Sequence, residues 1–146
     1  MNMIKSLNGF PSLRFRKGKF IPEIKPMMPA ALLGSLLGTY LDLYFTGKGF
    51  YSFPVRPLGH IFSINIAFTL IGLPLLILGF LFICKRINPL PRIALILVMS
   101  LFMAAMEKTS ETLGLMEHHQ SWKHIYTFYG YTIFLTIVYL YYKWKK

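Results

Sequence analysis

Eight side chains able to exchange protons or hold a cation stand out along the chain: Asp42, His60, Glu107, Glu111, Glu117, His118, His119 and His124. Imidazole and carboxylate together form the donor set of zinc, iron and manganese sites, and carboxylates shielded from water also bind or relay protons. Spacing does not select one of these chemistries. No His-Glu-x-x-His or Glu-x-x-His pair occurs, so no metal centre is assigned. His118, His119 and His124 remain weak metal candidates, and no cofactor is expected. The serines Ser52, Ser63, Ser110 and Ser121 stand in no nucleophile elbow. The Gly47-Lys48-Gly49 turn lacks the spacing of a phosphate-binding loop.

Positioning these groups falls to four apolar runs, at 27–45, 61–84, 93–112 and 125–142. Each approaches the roughly 20 helical residues that cross about 30 Å of hydrocarbon. With 55% hydrophobic residues, 14% charged residues and a mean hydropathy of +0.51, the expected fold is all-α. It is an integral membrane four-helix bundle, residues 27–146, behind a basic arm at 1–26. The first run is too long for a signal-peptide core and lacks a cleavage site, so it is read as a span. No myristoylation or prenylation signal is present.

The third run sets the geometry of the site. Its uninterrupted part, Ile93–Met106, is short for a crossing, and extending it brings Glu107 and Glu111 into the helix end. A helical step then aligns Ser100, Ala104, Glu107, Glu111 and Gly114 on one face, with His118 joining if the helix continues. Lys108 is the expected partner of Glu111, and Arg56 or Lys48 can arrive from the preceding connection. Asp42 lies about one turn from the end of the first run, in the same layer, which His60 also borders. Two accounts fit: a solvated helix end with local ion pairs, or a site whose carboxylates bind a cation or shuttle protons.

Orientation follows from 16 basic and 5 acidic residues, a net charge of +11. Twelve basic residues lie in the N-terminal arm, the connection between the second and third runs, and the C-terminal tail. The other connections hold four: Lys48, Arg56, Lys108 and Lys123. Basic residues flanking spans stay cytoplasmic, so both termini are expected inside, against an anionic inner leaflet. Four of the acids, Asp42, Glu107, Glu111 and Glu117, fall on the outer side, which is neutral. Nucleic acid is not an expected partner, because no reader motif accompanies the charge. The single Cys84 excludes an internal disulfide.

Ala30, Gly34 and Gly38 form a small-residue stripe that allows close helix approach, either to another span of the chain or to a second copy or another membrane protein. Pro74, flanked by Gly72 and Gly79, predicts a kink in the second run. The tyrosines of the fourth run gather at its ends as interfacial belts.

Two stretches, Tyr40-Leu41-Asp42-Leu43-Tyr44-Phe45 continuing to Tyr51-Ser52-Phe53-Pro54, and Glu107-Lys108-Thr109-Ser110-Glu111 leading through Leu113-Gly114 to Trp122, resemble a family of small, uncharacterised multi-pass membrane proteins of Gram-positive, often spore-forming bacteria. The resemblance implies a four-span outline in a bacterial plasma membrane and no activity. The leading expectation is a structural or accessory role without catalysis. The alternatives are a small transporter or ion-coupling protein using Asp42, Glu107 and Glu111, and an outward-facing metal-dependent membrane enzyme.

Overall fold

The computed structural model describes residues 20–146, and most of the basic arm lies outside them. The described residues are mostly helical. A short helix α1 (Phe20–Ile24) runs through a 3-10 turn (Lys25–Met27) into α2 (Met28–Gly47). A π-helical turn (Phe68–Gly72) leads into α3 (Leu73–Cys84), followed by α4 (Pro89–Thr112) and α5 (His124–Lys145). Two-residue strands β1 (Tyr51–Ser52) and β2 (Glu117–His118) form the one sheet seen among the described residues.

Four long helices are thus present where four apolar runs were expected, with one difference. The second run does not become helical at residue 61: Ile61 and Phe62 donate their amides to the Leu58 carbonyl in a turn, and helix begins only at Ile66. The kink expected mid-run is a widened turn immediately before Pro74. The Leu73 amide reaches back five residues to the Phe68 carbonyl, and Pro74 has no amide to offer. The Thr69 carbonyl is therefore left without a helical donor, and the buried Ser35 hydroxyl of α2 supplies one at 2.7 Å.

The core joins α2, α3 and α5 through Ala30, Ala31, Leu73, Ile77, Phe80, Leu81, Leu135 and Val138. The small-residue stripe is occupied within the chain. A Cβ on Gly34 would stand 2.2 Å from Ile77 Cδ1 and 3.4 Å from Phe134 Cζ, and one on Gly38 would stand 2.3 Å from Leu73 Cδ2. Missing side chains there let α3 lie directly on α2. Helix α4 packs chiefly on α5, with Ser100 and Ala104 buried on that face.

Among the described residues α4 is the helix whose length and composition suffice to cross a membrane; its 24 residues rise about 36 Å. Only 22% of its most apolar stretch is buried. Large apolar side chains also project outward from the other helices, among them Leu32, Leu36, Leu75, Ile133 and Leu140. Glycine, serine, threonine and Asp42 in α2, the late start of the second helix, and tyrosine and threonine in α5 lower the hydropathy of those segments.

Candidate functional site

The site lies at the end of the bundle where α2 and α4 stop, and both stop in the same way. Gly49 (φ +78°) and Gly114 (φ +75°) occupy the left-handed region that glycine enters without steric cost. Each closes a paired-hydrogen-bond helix end: Gly49 to Thr46 and Phe50 to Phe45 after α2, Gly114 to Glu111 and Leu115 to Ser110 after α4. Each then turns the chain into a two-residue strand. The strands pair antiparallel, Tyr51 opposite His118 and Ser52 opposite Glu117, and the His119 amide extends the pairing to the Phe50 carbonyl at 2.8 Å.

This return brings His118 to the carboxylates. The expectation that His118 would join by continuation of the helix is corrected: α4 ends at Thr112, and the reversal at Gly114 lays β2 back over the helix end. The alignment of Glu107 and Glu111 on one face, four residues apart, is realised. His118 Nε2 lies 3.2 Å from Glu107 Oε1, and its Nδ1 lies 3.5 Å from Glu111 Oε1. His124, at the start of α5, spans the same two acids, with Nδ1 3.1 Å from Glu107 Oε1 and Nε2 3.1 Å from Glu111 Oε2.

The two carboxylates differ in surroundings. Glu107, 11% exposed, accepts from Trp122 Nε1 at 3.0 Å and from the buried Thr127 hydroxyl, and lies 3.1 Å from His124 Nδ1. Glu111 is 37% exposed and faces the two imidazoles. The His118 side chain is only 4% exposed, yet neither ring nitrogen makes a directed hydrogen bond. Its ring stacks on Trp122, centroids 5.5 Å apart at 17°, and Phe45, Phe50, Tyr51 and Tyr126 pack around the same indole.

Asp42 belongs to a neighbouring arrangement. It accepts from the Tyr51 hydroxyl at 2.7 Å. Burial and the adjacent Asp42 carboxylate hold the Tyr51 phenol well above its ordinary range, so it remains a hydrogen-bond donor. Asp42 and Glu107 both line a pocket of about 640 Å³, with Asn65, Ser110 and Thr127 as further polar groups and phenylalanine, leucine and methionine walls. The three acids expected as one layer therefore divide: Asp42 shares the pocket with Glu107, and Glu111 shares the histidines with Glu107.

Several candidates stand apart. Arg56 folds into its own loop, donating to the carbonyls of Phe53, Gly59 and Phe62, and so is not delivered to the acids. Lys108 is exposed, and the ion pairs found for Glu111 are with histidines. His60 and Glu117 are exposed. His119 turns to Ser121, 2.8 Å from its hydroxyl. Tyr51, Trp122 and Thr127 were not singled out by sequence as partners of the acids. Their one local signal is the three-residue step from His124 to Thr127, which places both on one face of α5.

The arrangement can hold positive charge between two carboxylates, orient imidazoles and exclude water on the Trp122 side. No three or more His, Cys, Asp or Glu side chains among the described residues form a ready-made metal cage. No known protein family, curated protein or solved structure matches the chain, so its own residues carry the functional argument.

Proposed function

We propose that the chain is a multi-pass membrane protein, with four spans and both termini cytoplasmic, that engages a cation at an outer polar layer built on Glu107, with Asp42 and Glu111 beside it. Ion coupling or transport is favoured over a purely structural role. The carrying observation is that two half-buried carboxylates, Asp42 and Glu107, line one pocket whose walls are mostly apolar. Such groups are costly to bury and are a hallmark of ion paths when they occur in membrane proteins.

The membrane reading draws support from apolar side chains projecting outward along all four helices and from the distribution of basic residues. On the basic side, Glu23 pairs with Arg86 at 3.0 Å and Lys85 at 3.5 Å, which joins the segment before α2 to the α3–α4 connection. An accessory role through the Ala30, Gly34 and Gly38 stripe loses its support, because α3 already covers Gly34 and Gly38.

Reconstitution in liposomes tests the proposal. Proton or divalent-cation flux is expected from the wild-type chain and is expected to fall at least tenfold in Asp42→Asn with Glu107→Gln. Absence of flux, or flux indifferent to the double substitution, would overturn ion coupling.

A further inference from the structure

We propose that Glu111, His118 and His124 form a binding site for one divalent transition metal of the zinc class, with Glu107 as the carboxylate that orients both imidazoles. This inference rests on the reading that the outer layer engages a cation, and it names the cation's class.

The argument starts from tautomers. Glu107 is already held by Trp122 and Thr127, and an ionised carboxylate can only accept. Its Oε1 lies 3.1 Å from His124 Nδ1 and 3.2 Å from His118 Nε2, so in the neutral, metal-ligating form of each ring these two nitrogens would carry the protons. The opposite nitrogens, His118 Nδ1 and His124 Nε2, then carry lone pairs. Both face Glu111, at 3.5 Å from Oε1 and 3.1 Å from Oε2. Lone pairs facing carboxylate oxygens repel unless a positive charge lies between them.

A metal meets that demand with suitable dimensions. Zinc bonds of 2.0–2.2 Å to nitrogen and oxygen, arranged tetrahedrally, place neighbouring donors about 3.4 Å apart. The separations of 3.1 and 3.5 Å around Glu111 bracket that edge. The donors do not yet surround one point, so binding must draw the two rings onto Glu111. Two imidazoles and one carboxylate suit zinc, iron or manganese and leave a position open, here on the more exposed side formed by Glu111 and His124. A carboxylate behind each ligating imidazole is the usual outer support of such centres. The second, independent observation is His118 itself: a ring whose side chain is 4% exposed and whose two nitrogens, though flanked by the Glu107 and Glu111 carboxylates, make no directed hydrogen bond is costly to bury unless something binds it.

The stacking of His118 on Trp122 provides a readout. The chain contains two tryptophans, so Trp144→Phe leaves Trp122 as the sole indole reporter. The full chain, purified in detergent and stripped with a chelator, is titrated with zinc and with cobalt(II), and metal content is measured after dialysis. One zinc per chain, a saturable change in Trp122 emission and visible cobalt absorption are expected. Glu111→Gln, at a half-exposed position, should weaken zinc binding at least tenfold; His118→Gln should do the same; His119→Ala should leave it unchanged. The proposal is overturned by sub-stoichiometric zinc with unchanged Trp122 emission, by equal affinity in Glu111→Gln, or by emission that responds to pH and not to metal, since protons then supply the positive charge. Metal failure with cation flux intact would reject this site alone, whereas loss of flux with metal bound would reject ion coupling alone.

Discussion

The two ends of this bundle solve opposite problems. Toward the basic end, α2, α3 and α5 meet through the buried apolar side chains of Ala30, Ile77, Leu81, Leu135 and Val138. At the other end residues of α2, α3, α4 and α5 line a pocket, beside which lie two short strands, an aromatic cluster on Trp122, and Glu107 with its side-chain partners Trp122, His124 and Thr127. Between the two ends, the buried Thr69 carbonyl is capped by the Ser35 hydroxyl. At the site, Glu107 is satisfied, whereas neither nitrogen of the buried His118 ring makes a directed hydrogen bond, although Glu107 and Glu111 lie 3.2 and 3.5 Å away.

The contrast can be broken first at the packed end. Gly34→Leu drives a side chain into Ile77 and Phe134 and should destabilise the protein by about 3 kcal/mol, read as a lowered midpoint of helix loss in detergent, with Trp122 emission in the folded state unchanged. Gly38→Leu, which meets only Leu73, should have a smaller effect. If Gly34→Leu instead leaves stability intact and abolishes self-association, the stripe serves a second copy and the packing account fails.

At the capped end, Glu107→Ala leaves the donors of Trp122, His124 and Thr127 without their acceptor. A loss of about 2 kcal/mol is expected, together with a shift in Trp122 emission; an unchanged spectrum would mean that Glu107 does not organise the aromatic cluster. Gly114→Ala forces a Cβ into the left-handed region and should cost about 1 kcal/mol. It should also weaken zinc binding, because the reversal at Gly114 is what delivers His118. The smallest effect belongs to His119→Ala, within about 0.5 kcal/mol of wild type, since that ring touches Ser121 outside the cluster; a larger change would move the boundary of the site.

Much of the helical outline could be read from apolar runs. The shared face of Glu107 and Glu111 could be read from the helical step, and the fall of both acids inside α4 from the length a span requires. The arrival of His118 could not be read that way, because helical periodicity says nothing beyond the residue where the helix stops. Gly114 was placed on that helical face, whereas it is where the helix stops. Arg56 was equally misleading: charge complementarity pointed it at the acids, but three nearby carbonyls in its own loop compete for the guanidinium at far lower entropic cost.

Local sequence thus determined the elements and their faces, because helix formation and side-chain periodicity depend on neighbours a few residues away. Tertiary structure alone decided that Asp42 pairs with Tyr51, that two glycine-capped helix ends meet as strands, and that residues 107, 111, 118 and 124 converge. Those outcomes depend on where α2 and α5 sit beside α4, with α4 packed chiefly on α5 and α2 packed chiefly on α3. Long-range contacts of this kind leave no period or spacing in the chain from which they could be read.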